Sequence, residues 1–106
     1  MRHAIAGFRG LFGKVMADLI AEGQSEPAVL KELYDGHIRL RRAATAAEIE
    51  RAKADGELAA DTDTELIIDT MFAPIYLRLL MRFAPVTEEY GDALVDEAFR
   101  RHRGRI

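Results

Sequence analysis

Apolar positions near the start of the chain fall three and four residues apart: Ile5, Phe8, Phe12, Val15 and Leu19, with Leu11, Met16 and Ile20 broadening the stripe. This is the period of a helix with one face turned to a core. It predicts a helix over about 3–22, with Gly23 as its C-terminal stop. Ser25, Glu26 and Pro27 then offer a hydroxyl cap, an acid at the positive end of the helix dipole, and a proline where no N–H is required. The helix they open turns Leu30, Leu33, His37, Leu40, Ala44 and Ala47 inward and runs to Asp55, with Gly56 at its end. Asp35 and Gly36 are expected to bend or break it, because glycine inside a helix costs about 1 kcal/mol. Thr62 and Glu65 have the spacing of a capping box at the head of a third helix, over about 63–84, which Pro85 stops. Thr87, Glu88 and Glu89 begin a fourth, with Tyr90, Leu94, Val95, Ala98 and Phe99 on one broad face. With no period-two alternation and no internal repeat, the fold class is all-α, an antiparallel helical bundle of four to five helices.

The third helix differs from the others. Leu66, Ile67, Ile68, Met71, Phe72, Ile75, Tyr76, Leu77, Leu79, Leu80 and Phe83 cover nearly its whole circumference. A helix that is apolar all round must be covered on several sides, and one short chain has few helices for that task, so a second subunit is the expected cover. The bundle is therefore read as dimerising through its last two helices. The expected interface holds Ile75, Arg78, Leu79 and Arg82 from the third helix, and Tyr90, Gly91, Leu94, Val95, Ala98 and Phe99 from the fourth. Gly91 would allow close approach of another helix. Arg78, if covered, is expected to need Asp92, Asp96 or Glu97 as a partner. Pro74 removes a donor and crowds the carbonyl of Thr70, which predicts a kink that frees the Thr70 carbonyl and hydroxyl.

Composition narrows the function. The 106 residues suit one domain, and a net charge of −3 argues against a nucleic-acid binder whose whole surface is basic. There is no cysteine, which excludes disulfides and thiolate chemistry. The longest apolar run, 71–81, is too short for a membrane span and contains Arg78. Arg9 and Lys14 interrupt anything like a secretory signal, so no membrane partner and a cytoplasmic location are expected. The single serine, Ser25, has a capping role, and His3, His37 and His102 lack zinc-site spacing. The run Asp61-x-Asp63-x-Glu65 opens like a calcium loop but has Leu66 and Phe72 where glycine and glutamate are needed. No enzyme, metal or cofactor is expected. The cluster His37-x-Arg39-x-Arg41-Arg42 after Gly36 admits two readings, a solvated helix face or a small helix-turn-helix that binds DNA. Arg100, Arg101, Arg103 and Arg105 complement a helix C-terminus.

Over 51–99 the sequence resembles the C-terminal domain of TetR-type (tetracycline-repressor-like) transcriptional regulators. The resemblance is carried by Arg51-Ala52-Lys53-Ala54-Asp55-Gly56-Glu57-Leu58, by Asp61-Thr62-Asp63-Thr64-Glu65-Leu66-Ile67-Ile68-Asp69, by Ala73-Pro74-Ile75-Tyr76-Leu77-Arg78-Leu79-Leu80 with alanine where the family often has glycine, and by Val95-Asp96-Glu97-Ala98-Phe99. It implies a homodimer whose last two helices pair in a four-helix bundle, and a small, mostly apolar effector held among the preceding helices and the inner side of the third. The domain assignment takes in residues 1–106 as an effector-binding and dimerisation domain of a repressor. The family's N-terminal helix-turn-helix head has no counterpart here, so DNA is expected only through that absent head, whether the chain is an excised domain or a headless relative. The effector-lining candidates are Phe8, Phe12 and Met16, then Tyr34, His37 and Leu40, then Thr70, Phe72 and Tyr76. Apolar walls with a few polar groups are what a small-molecule site requires. The same aromatics also suit a filled core, in which case the chain is a ligand-free helical interaction protein.

Overall fold

The computed structural model describes residues 10–103, a run of helices: α1 (Gly10–Gly23), α2 (Pro27–Leu33), a π-helical turn (Tyr34–Ile38), α3 (Arg39–Ala54), α4 (Thr64–Met81) and α5 (Glu88–Arg100). The expected start of the first helix, with Ile5 and Phe8, lies outside the described residues. The second expected helix is one rod, α2–π–α3, and its irregularity falls on Asp35-Gly36 as a wider turn instead of a break. No loop separates the two halves of that rod, so residues 36–42 have no turn on which a helix-turn-helix could be built. The only β feature among the described residues is an isolated bridge between Leu58 and Arg103. No described helix is long and apolar enough to cross a membrane.

The helix ends differ in detail from the sequence pattern. Ser25 does not cap α2: its hydroxyl donates to the Glu22 carbonyl at 3.2 Å, and Glu26 holds the cap position without a side-chain bond. Thr62 likewise donates to the Ala59 carbonyl at 2.6 Å, and the neighbouring Asp63 caps α4 by accepting from the Leu66 N–H at 3.1 Å. Thr87 does cap α5, accepting from the Tyr90 N–H at 3.1 Å. Helix α4 stops at Met81, before Pro85 is reached, because Arg82 takes the left-handed conformation (φ 55°). Gly56, at φ 81°, turns the chain after α3 in the way only glycine does without strain. Gly23 ends α1 for a different reason than capping. A Cβ there would lie 2.7 Å from the Cβ of Leu30, so its bare backbone is what lets α2 fold back against α1.

Helix α4 is the centre of the packing. Ile68 and Ile75 are 0% exposed, and Met16 of α1, Leu33 of α2, Ile49 and Ala52 of α3, Leu58 of the connection and Ala98 of α5 close around them with Ile67, Met71 and Phe72. Polar stitches hold α3 to the head of α4. Arg42 meets Glu65 at 2.6 Å and Asp69 at 2.8 Å, and Lys53 donates to the Thr62 carbonyl at 2.9 Å. The end of the chain is tied back by the Ala59 N–H, which donates to the His102 carbonyl at 2.6 Å. Arg100 and Arg103 both engage Asp96, so part of the basic C-terminal cluster is neutralised within its own helix end. The whole measures 48 × 27 × 18 Å. The face of α4 that carries Leu66, Leu77 and Leu80 is left exposed by its neighbouring elements.

The two glycines flanking α2 give opposite expectations. Gly23→Ala drives a methyl into Leu30 and should destabilise the fold by about 1–3 kcal/mol. Gly36→Ala meets nothing within 4 Å and should stabilise it by about 0.4–1 kcal/mol. Urea unfolding of both variants checks this; equal effects would contradict the packing at the α1–α2 turn.

Candidate functional site

Three groups of residues stand out: an aromatic cluster against α1, an open groove at the lower end of α4, and the uncovered face of α4. The cluster forms where His37 of the π turn meets Phe12 of α1. His37 stands edge-on to Phe12 with ring centroids 6.4 Å apart, and the Arg41 guanidinium lies 4.8 Å from the Phe12 centroid. Tyr76 of α4 lies close enough to Arg41 and Arg42 to feel both. Burial pushes its phenol above the ordinary value, and the two cations oppose that shift. Thus Phe12 and His37, both exposed, meet beside Arg41, with the half-buried Tyr76 near the same cation, while Met16 and Phe72 are buried in the core. Tyr34, Leu40 and Thr70 also face outward, Tyr34 at 42% and Leu40 at 62% exposed, and take no part in this contact. The Thr70 hydroxyl is not freed by Pro74, because it donates to the Leu66 carbonyl at 2.9 Å. Phe8 lies outside the described residues. Behind Phe72, a void of about 70 Å³ bordered by Thr45, Ile49, Met71, Val95 and Phe99 is too small for an effector.

The groove is larger, about 660 Å³ and open to solvent. It lies between α1 (Gly13, Lys14, Ala17), the last turn of α4 (Arg78, Leu79, Arg82) and the connection to α5 (Phe83, Ala84, Pro85, Val86, Thr87). The left-handed turn at Arg82 is what sends the connection across α4 to make its far wall. Arg78, which the sequence led us to expect beside a carboxylate, is held differently. Its guanidinium stacks 3.5 Å from the Tyr90 ring centroid and 5.6 Å from that of Phe83, and Nη1 donates to the Pro85 carbonyl at 3.2 Å. Of the acids expected for it, Asp96 and Glu97 are engaged by Arg100. A planar cation can be satisfied by an aromatic face and a carbonyl as well as by an acid, which is why the charge pattern alone misdirected.

On the uncovered face of α4, Leu66, Thr70, Ala73, Leu77 and Leu80 follow one another at steps of three and four, all exposed, with Leu66 at 58% and Leu77 at 52%. Met81 and Phe83 continue the apolar surface at 67% and 62%. Of the interface residues expected from sequence, Ile75, Gly91 and Ala98 are buried inside this subunit. Arg78, Leu79, Tyr90, Leu94, Val95 and Phe99 are half-buried, and Arg82 is exposed. Sequence reasoning counted Leu66, Leu77 and Leu80 in the apolar circumference of this helix but did not assign them, or Ala73, to the interface. Their spacing was a readable signal, but the opposite face carries an equally apolar stripe.

Comparison with known proteins gives a consistent set of findings. A family model described as "Tetracyclin repressor-like, C-terminal domain" matches residues 1–98. The HTH-type transcriptional regulator YdeS of Bacillus subtilis (strain 168) is 32% identical over 88 residues, which is 83% of this chain and 44% of that protein. The crystal structure of the TetR family transcription regulator SCO0332 superposes with a TM-score of 0.82 at 24% identity, over 93% of this chain and 56% of that one, which shows the shared fold. The chain thus spans about half the length of these relatives.

The stacking of Arg78 on Tyr90 gives a testable magnitude. A double-mutant cycle with Arg78→Met and Tyr90→Leu should return a coupling of about 0.5–1 kcal/mol in thermal or urea unfolding. Strict additivity would show that the two side chains are merely adjacent.

Proposed function

Since the chain belongs to the tetracyclin repressor-like C-terminal domain family, we propose that it is the regulatory half of a transcriptional repressor, a homodimer that binds a small, mostly apolar effector in the cytoplasm. DNA binding belongs, in this reading, to a helix-turn-helix head outside these residues. The observation that carries the proposal is the exposed apolar stripe of α4. Leu66, Ala73, Leu77 and Leu80 lie on a helix whose other side is already the core, and contiguous exposed apolar surface of this kind marks an interface. Two copies laid α4 against α4, with α5 alongside, make a four-helix bundle in which each stripe covers the other. The effector site is placed at the cluster of Phe12, His37 and Tyr76 over Met16 and Phe72. A second reading is favoured by the small size of the void beside Phe72: a dimerisation module with a filled core and no effector.

Sedimentation tests the dimer. The wild-type chain should run as a dimer at tens of micromolar, and Leu77→Glu should run as a folded monomer, because Leu77 is 52% exposed and supports none of the subunit's own core. Leu94 is a poorer probe, since it packs against that core. A wild-type monomer at that concentration contradicts the proposal.

Tyr76→Ala separates the two readings of the interior. A filled core should lose about 3–5 kcal/mol on this truncation, and a pocket wall much less. A thermal-shift screen with lipophilic compounds should then find a ligand that adds roughly 2.7 kcal/mol at a hundredfold excess over its dissociation constant. A large loss together with no stabilising compound would favour the effector-free module.

A further inference from the structure

We propose that the groove between α1, the last turn of α4 and the α4–α5 connection is a binding site for a small organic carboxylate, an acid group carried on an apolar body. The site lies on a different side of α4 from the Tyr76 cluster, and the inference goes beyond the function proposed above. Among the described residues the wall contains three cations, Lys14, Arg78 and Arg82, and no aspartate or glutamate, although the chain as a whole has a net charge of −3. None of the three forms a salt bridge among the described residues. Leu79, Phe83 and Val86 complete the lining, and the volume of about 660 Å³ is within the range of small-molecule sites.

Cations in the last turn of a helix commonly serve only to complement its dipole. Two features here go further. Lys14 comes from α1, where no helix end needs it, and it still opens on the same groove. Arg78 is not spread over the carbonyls that end its helix. Its guanidinium plane is fixed by the Tyr90 ring, and one of its five N–H donors is used by the Pro85 carbonyl, which leaves donors oriented in advance for a guest. Three like charges along one apolar groove repel one another, and an anion placed among them relieves that repulsion. The planar fork of a guanidinium matches a carboxylate's two oxygens, while the apolar wall takes the rest of the molecule.

Calorimetric titration of the intact chain with octanoate, neutral octanamide and octyl phosphate tests the proposal. Octanoate should bind about tenfold or more tightly than octanamide, and raising the salt concentration should weaken only the anion. The double variant Lys14→Gln, Arg82→Asn should lower octanoate affinity at least tenfold and leave octanamide unchanged. Asparagine is chosen because it accepts the left-handed conformation at that position. Circular dichroism and sedimentation of the variant check that fold and assembly are intact, so loss of the dimer is read separately from loss of the site. Octyl phosphate binding with the same sensitivity to the substitutions would support the anion site and widen it to phosphate head groups. Equal affinity for octanoate and octanamide, octanoate affinity unmoved by the double variant, or no binding of any probe would overturn the proposal.

Discussion

The structure is governed by a helix with more apolar surface than its own chain can hide. Helix α4 buries Ile67, Ile68, Met71, Phe72 and Ile75 against α1, α3 and α5, which is enough to organise the core. The same helix leaves Leu66, Leu77 and Leu80 in solvent on its opposite side. At roughly 25 cal/mol for each Å² of apolar surface removed from water, such a stripe is an unused driving force for association. The other elements are arranged to keep that face open. The rod α2–π–α3 and the stitches from Arg42 and Lys53 occupy the flank of α4, and α5 lies beside it instead of across the stripe.

The lower end of α4 shows how one residue shapes the surface around it. Because Arg82 turns left-handed, the helix ends early and the following residues pass over its last turn, where Arg78 fastens them through the Pro85 carbonyl and the Tyr90 ring. The consequence is an apolar groove with a positively charged wall in an otherwise acidic chain. The uncovered stripe and the groove therefore originate from different faces of one helix, one without charged groups and the other with cations that form no salt bridge among the described residues.

Much of this was readable in the sequence, and the exceptions have physical causes. The helices followed from the three-and-four period and the irregular turn from Gly36, but the buried faces did not always. His37, Leu40, Ala44 and Ala47 were expected inward and are exposed, while Ile49 and Ala52 enter the core from the other side of α3. On α1, Met16 and Ala17 are buried where Phe12 and Val15 are exposed. Capping was misplaced by one residue at α2 and α4 because adjacent polar groups compete: the Thr62 hydroxyl found the Ala59 carbonyl, which left Asp63 to cap. Gly23 looked like a stop signal, but a contact with Leu30 distant in conformation, though near in sequence, is what requires it. For the candidate sites the difficulty was greater. In a helix apolar on every side, periodicity does not tell which face the rest of the chain will cover, so Leu77 could not be distinguished from Ile75 before the packing was seen. The contact of Phe12 with His37 depends on the extra residue of the π turn, which shifts α3 relative to α2 in a way the pattern does not encode.

The central claim, that the outer face of α4 is buried against a second copy, is tested most directly by a cysteine scan, because the chain has no cysteine of its own. Single substitutions Ala73→Cys, Leu77→Cys and Leu80→Cys are compared with Lys31→Cys, an exposed position on α2, for covalent dimer formation under mild oxidation and with a short bis-maleimide crosslinker. Rapid crosslinking is expected at whichever of the three α4 positions lies nearest the two-fold axis, and little at Lys31. Crosslinking that is equally slow at all four positions, or fastest at Lys31, would contradict it.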